Sequence, residues 1–207
     1  MYPLFESIKV VDGRLINLEW HQRRVDFSRN RIYGDCDSLE LLKVLTVPAQ
    51  YRDGIIKCRV SYGLKPGPVA FSHYTKRSIR SLQQVECSPF DYGLKYEDRS
   101  KLKQLFQLRG ACDEVLITIN GLVTDTSYSN VALFDGSNWY TPDQPLLHGT
   151  QRDRLLASGV IKQAAIRISD LHNFDKLVLI NAMVEFDPEN YVNVPQVRLW
   201  NQRRVVV

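Results

Sequence analysis

The Asn120-Gly121 pair constrains this chain more than any other two residues. It stands between the apolar runs Val115 to Ile119 and Leu122 to Thr124. An Asn-Gly dipeptide between two such runs is the strongest short-range signal for a two-residue antiparallel hairpin. The hairpin carries Asp125 at its far end, followed by Ser127, Ser129 and Asn130. Upstream, Lys95 precedes a helix-like segment that leads through Cys112-Asp113-Glu114 into the first strand.

A lysine, a carboxylate on a rigid strand end and a nearby amide are the groups a pyridoxal 5'-phosphate (PLP) site needs. The lysine forms a Schiff base, and the anion keeps the ring nitrogen protonated so that the ring accepts electrons. The ordered pieces here are Asp113-Glu114-Val115-Leu116, Asn120 to Asp125, Ser127, Ser129-Asn130, Tyr140-Thr141-Pro142 and Leu146 to Arg152. Together they resemble the signature of the class IV aminotransferases. These are the fold-type IV PLP enzymes, which include branched-chain and D-amino-acid aminotransferases and aminodeoxychorismate lyases. The resemblance implies a two-domain α+β fold of the D-amino-acid aminotransferase type, with PLP held between the halves. It assigns Lys95 to the Schiff base and Asp125, with Asn130 beside it, to the ring nitrogen. The family has a glutamate where Asp125 stands, one methylene longer. Arg99 follows Lys95 as in the family's Leu-Lys-x-x-x-Arg arrangement, with a helix or loop trimmed by two residues before Asp113. Lys101 and Lys103, inside a polar helix, read as solvated surface charges.

Ahead of this region, Leu4 to Val11 reads as a strand, turned at Asp12-Gly13 into Leu15-Ile16. Leu18 to Tyr33 reads as a helix with Asn17 as N-cap and Leu18, Val25, Phe27 and Ile32 as its apolar face. His21 to Val25, after Phe5-Glu6-Ser7-Ile8, is similar to the family's His-x-x-Arg-Leu pattern, which implies that Arg24 grips the cofactor phosphate. A guanidinium can hold two phosphate oxygens at once. The plain alternative is that Arg23 and Arg24 face solvent on an amphipathic helix. Asp37-Ser38 is expected to cap a short helix over Leu39 to Leu45. Ile55 to Ser61 and Val69 to Tyr74 are expected strands joined by the Lys65 to Pro68 loop, and Leu82 to Cys87 is another. A small, mostly antiparallel domain over residues 1–88, short for the family, is thus expected to precede a larger PLP-binding domain over 89–207, linked at Ser88 to Asp91.

Beyond the hairpin, Val131 to Phe134 and Trp139-Tyr140 form a second strand pair. Gly149-Thr150-Gln151 stands ahead of a helix over Arg152 to Ser158, where exposed backbone N–H groups and the helix dipole suit an anion. Plain capping explains the same residues; the resemblance implies phosphate binding by Thr150 and Gln151. Ala165 to Ile168 and Leu177 to Ile180 read as strands. Asn181-Ala182, after the last of them, matches a small-residue pair that contacts the phosphate in the family. Trp200 and the final residues are expected to complete a sheet.

The chain has 207 residues, 44% hydrophobic and 24% charged, with a net charge of +4, long enough to bury a sizeable core. Its Lys and Arg residues are spread along the sequence rather than bunched, which argues against a nucleic-acid surface, although the terminal Arg203-Arg204 pair could attract an anion. Cys36, Cys58, Cys87 and Cys112 lack metal-ligand spacing, no long apolar run occurs, and the N-terminus lacks a basic region before an apolar one. A cytoplasmic protein with free thiols, no metal and no membrane association is expected. The resemblance, with the short first half and exposable aromatics such as Trp20, Tyr33 and Trp139, implies a homodimer. Among the family's activities, the compact first half and the Lys95/Arg99 pattern look most like 4-amino-4-deoxychorismate lyase. A branched-chain type aminotransferase is the alternative, and a binding module without chemistry a third. An Arg-x-His pair after Ile55, used by D-amino-acid aminotransferases, is missing.

Overall fold

A computed structural model of the chain describes residues 3–199 and 204–207; Trp200 and Arg203 lie outside them. The chain divides into two compact units, one of Met1–Lys76 with Leu94–Asp98, the other of Arg77–Gly93 with Arg99–Val207.

The first unit contains β1 (Leu4–Val11), β2 (Arg14–Leu15), α1 (Leu18–Tyr33), α2 (Leu41–Val44), β3 (Ile55–Tyr62) and β4 (Pro66–His73). Its four strands form an antiparallel sheet in the order β2-β1-β3-β4. Alternation along β1 and β3 puts Leu4, Ile8, Val10, Ile56, Cys58 and Val60 into one buried core with Val25 and Leu41. The expected Lys65–Pro68 loop is shorter than the sequence suggested, because Pro66 already pairs with Tyr62 across a bulge.

Helix α1 has the expected bounds but a different inner face. His21, Val25, Ser28 and Arg29 are buried, at i, i+4, i+7 and i+8, whereas Phe27 is 60% and Ile32 39% exposed. Val25 is buried as expected and Leu18 packs against the same core, but three of those four residues are polar, so counting apolar positions misplaced Phe27 and Ile32 on the inner face. Asn17 holds the N-cap position in the left-handed region (φ 54°) without a side-chain cap, a conformation Asn tolerates better than most residues. The short helix α2 is capped at Glu40 instead of Asp37-Ser38. Gln22 fixes it, accepting from the Leu41 N–H at 2.8 Å and donating to the Leu39 carbonyl at 2.9 Å.

Arg29 is buried with no carboxylate partner among the described residues and donates to three carbonyls, those of Gly63 (3.0 Å), Asp37 (2.6 Å) and Leu64 (2.8 Å). It staples two loops onto α1. Arg29→Met leaves those carbonyls short of a donor and is expected to cost about 3 kcal/mol in urea unfolding. Arg31→Met, on the exposed side of the same helix, should cost less than about 0.5 kcal/mol.

The second unit contains β5 (Leu82–Cys87), α3 (Ser100–Gln107), β6 (Glu114–Ile119), β7 (Leu122–Val123), β8 (Asn130–Phe134), β9 (Trp139–Pro142), α4 (Thr150–Ala157), β10 (Lys162–Ala164), β11 (Lys176–Ile180), β12 (Val192–Asn193) and β13 (Val197–Arg198). They make two sheets, β13-β5-β6-β7 and β10-β9-β8-β11-β12, which share a core of Leu82, Leu116, Val123, Val131, Leu133 and Leu177. The β6–β7 hairpin turns at Asn120 (φ 53°) and Gly121 (φ 73°), the two positive φ angles this turn demands. The strand expected at Ala165 to Ile168 lies earlier, at β10, parallel to β9.

The expected boundary at 88/89 is displaced. Strand β5 runs parallel to β6 along its whole length, from Leu82 opposite Glu114 to Cys87 opposite Ile119, so it belongs to the second unit. The chain then returns to the first: the Phe5 N–H donates to the Lys95 carbonyl (3.1 Å), the Glu97 N–H to the Pro3 carbonyl (2.8 Å), and Tyr96 bridges Leu4.

Candidate functional site

In the first unit, Lys95 sits on this returning segment. It is half-buried, with Nζ 4.8 Å from the centroid of the Phe5 ring. The segment is anchored by Glu97, which accepts from Arg59 on β3 and, at 2.5 Å, from the Ser61 hydroxyl. Burial raises the Glu97 pKa, but the bonds from Arg59 and Ser61 outweigh it and hold the carboxyl low.

Arg24 lies on the face of α1 turned to β1, one turn after His21. Its Nε donates to Glu6 Oε1 at 2.8 Å and its Nη2 to Glu6 Oε2 at 2.5 Å. His21 Nδ1 meets Glu6 Oε2 at 2.7 Å. Glu6 is fully buried on β1. Burial raises its pKa, yet the charge of Arg24 and the hydrogen bonds from His21 and Arg24 prevail and bring it down to about 2. For His21 burial dominates and lowers the pKa, with the charges of Arg24 and Lys95 acting in the same direction against Glu6. His21 is thus a neutral imidazole whose Nδ1–H donates to an ionised Glu6. The sequence reading included Arg24 and missed Glu6 and His21 as its partners; both stand in the motifs that pointed to Arg24.

In the second unit the loop after the hairpin is tightly held. The Thr126 hydroxyl accepts from the Ser129 N–H (2.9 Å), and Arg99 donates to the Ser127 carbonyl at 2.6 Å. Asp125, 4% exposed, accepts from Asn130 Nδ2 at 2.7 Å and from the Leu147 N–H at 2.9 Å. Burial pushes its carboxyl up to about 7, against those hydrogen bonds and the more distant charge of Arg152. Asn130 also donates to the Leu147 carbonyl (2.8 Å), tying β8 to the loop before α4. Asn181 donates to the Ser129 hydroxyl at 2.8 Å and accepts from the Met183 N–H; Ala182 follows it, half-buried. Thr150 and Gln151 open α4 and are both buried, and the Gln151 Nε2 has no hydrogen-bond partner among the described residues.

Gly149 is a packing requirement. A Cβ built there would fall 2.0 Å from Asn130 Oδ1. Gly149→Ala must displace Asn130 from Asp125, and is expected to cost about 2 to 4 kcal/mol and to weaken PLP binding at least about tenfold. Gly93→Ala is the control: its nearest neighbour is 3.8 Å away, and its unfolding midpoint should match that of the unaltered protein.

Residues 3–188 match the amino-transferase class IV family. The chain belongs to that family. Class IV aminotransferases are PLP-dependent, and the sheets and few helices described above are those of fold-type IV. An uncharacterized protein of Haemophilus influenzae is 40% identical over 185 residues, 88% of this chain and 98% of its own. A candidate 4-amino-4-deoxychorismate lyase structure from Haemophilus somnus 129PT is 34% identical with a TM-score of 0.84, covering 90% of this chain and 98% of that one. A hypothetical aminotransferase from Mycobacterium tuberculosis in its PLP-bound form has a TM-score of 0.71 at 18% identity, covering 99% of this chain and 83% of that one, a likeness of fold.

The residues present fit PLP. The orphaned Gln151 amide at the first turn of α4 is a buried donor suited to a phosphate oxygen. Asp125 is a buried carboxyl with hydrogen bonds but, among the described residues, no ion pair, and a protonated ring nitrogen is the countercharge it lacks. Among the described residues there is no group of His, Cys, Asp and Glu arranged to hold a metal ion, and no helix long and apolar enough to cross a membrane.

Proposed function

We propose that this chain is a PLP-dependent lyase that releases pyruvate and p-aminobenzoate from 4-amino-4-deoxychorismate, a step of folate biosynthesis. The observation that carries the reading is the likeness to the Haemophilus somnus structure, 34% identical and matched over 98% of its length. That relative shares the compact size of this chain.

In this reading Lys95 carries the cofactor, Asp125 holds the ring nitrogen protonated, and Asn130 orients Asp125. Arg24, Thr150 and Gln151 hold the phosphate, with Asn181 and Ala182 contributing backbone contacts. When bound, PLP supplies an aldehyde that captures an amine and a ring that stabilises negative charge at the substrate Cα. Lys95, once freed by the incoming amine, takes the Cα proton as general base. Elimination would follow if the leaving group departs before Lys95 returns its proton, and amino transfer if Lys95 delivers that proton to the C4' carbon of the cofactor instead of to Cα.

A side-by-side assay of the PLP-loaded protein decides the reaction. Pyruvate release from aminodeoxychorismate supports the lyase. Keto-acid formation from an amino-acid panel, with no pyruvate release, replaces it with the branched-chain type aminotransferase. Silence in both, together with no PLP bound, leaves a binding module.

Two further properties belong to the same reading. We expect a homodimer, with a mass near twice 23.9 kDa in light scattering at micromolar concentration; a single-chain mass with PLP present removes it. All four cysteines are free, as a reducing cytoplasmic compartment would keep them.

A further inference from the structure

We infer that Glu6 and His21 are positioning residues that aim the Arg24 guanidinium at an anion, so that the protein's preference for a phosphorylated ligand is set by a carboxylate and an imidazole that need not touch it. The inference rests on the proposed role of Arg24 as a phosphate ligand.

The geometry carries it. Glu6 engages Arg24 through Nε and Nη2, at 2.8 and 2.5 Å, which fixes the plane and rotation of the guanidinium and turns its opposite edge away from Glu6. An arginine has a long, rotamer-rich side chain, and holding it in one orientation lowers the entropy lost when it grips a ligand. Glu6 is in turn fixed from two sides. It projects from a paired position of β1, opposite Val60 of β3, and Oε2 accepts the Nδ1–H of His21, itself 1% exposed. His21 and Arg24 are three residues apart on one helix, so a single carboxylate on the strand registers both.

Stability alone is a poor reason for this arrangement. Apolar residues of similar volume in place of a buried ion pair are often neutral or stabilising, and the surrounding core of Leu4, Ile8, Val25 and Val60 is apolar. What apolar residues could not do is leave a cationic side chain oriented and only partly covered: the Arg24 side chain retains 11% exposure while Glu6 retains none. The neutrality of His21 also matters. A second cation there would compete with Arg24 for Oε2 and stand in the field of Lys95.

The test compares PLP with pyridoxal, which lacks the phosphate, by equilibrium dialysis against the unaltered protein and its variants, with folding followed by circular dichroism. Glu6→Gln is expected to lower the PLP-over-pyridoxal preference about tenfold while moving the pyridoxal affinity less than about twofold, since a neutral amide, with one acceptor oxygen, cannot accept from both Nε and Nη2 as a carboxylate does. His21→Leu should lower the preference about threefold, and His21→Asn, whose amide can replace the Nδ1–H donor, should restore it to within about twofold. Because Glu6 acts through Arg24, the pair Glu6→Gln/Arg24→Met, which buries no charge, should show the same preference as Arg24→Met alone. Equal weakening of PLP and pyridoxal by Glu6→Gln would mean a structural role and overturn the inference, as would an unchanged preference. If the unaltered protein itself binds PLP no better than pyridoxal, the assignment of Arg24 to the phosphate fails first.

Discussion

Lys95→Ala is expected to abolish measurable turnover, a loss of at least about 10³-fold, or roughly 4 kcal/mol of barrier, because both covalent capture and the Cα proton transfer are lost with one amine. Borohydride reduction of the PLP-loaded protein should label Lys95 and leave Lys101 and Lys103 unmodified. Those two lysines lie exposed on α3, whereas Lys95 is pinned to β1 through its own carbonyl. A label on either of them moves the reactive amine off the returning segment and ends the assignment. The variant should still fold, because the hydrogen bond that ties residue 95 to β1 is made by its main chain.

The second large effect is a pH dependence of stability centred on Asp125. Burial raises its carboxyl from an ordinary 3.8 to about 7, so the folded protein without cofactor holds a proton that the unfolded chain has already released. A raised folded-state pKa contributes stability that is fully present below the unfolded value and is lost as pH rises through the folded one. Between about pH 4 and pH 7, unfolding free energy should therefore fall by up to about 4 kcal/mol on account of this group. Glu6 and His21, both with lowered pKa values, act in the opposite direction: the Glu6 contribution is lost on acidification from about 4.5 to 2, and that of His21 on acidification through its ordinary value near 6.5. The difference between the unaltered protein and Asp125→Asn isolates Asp125, since the other groups are common to both. Denaturant titrations at pH 4, 5.5 and 7.5 should show the variant gaining on the unaltered protein as pH rises. Parallel curves would mean that Asp125 ionises as a solvated aspartate does.

Features set by neighbouring residues were legible in the sequence, and those set by distant partners were not. The Asn120-Gly121 turn, β1, β5 and the bounds of α1 follow from short-range chemistry, and the structure has them where that chemistry puts them. The same local reasoning brought Asp125 and Asn130 together, five residues apart across one loop. It could not supply the second donor to Asp125, the Leu147 N–H, which comes from 22 residues further on. Nor could it decide which sheet β5 joins, since its partner is β6, beyond α3, and not β4. The inward face of α1 was hidden for a different reason: periodicity seeks apolar residues, and His21 and Arg29 become interior residues only because Glu6 and three carbonyls elsewhere satisfy them.

The excursion of Leu94–Asp98 into the first unit bears on how such a protein can be divided and inherited. A chain cut at residue 88 would leave Lys95 on the fragment that lacks β1, and the fragment with β1 would lose Leu94 and Tyr96 from its core. Each unit is built from two separate stretches of sequence, so no single cut in the chain yields either of them whole. Swapping the first unit for another would have to carry residues 94–98 with it, and Lys95 among them.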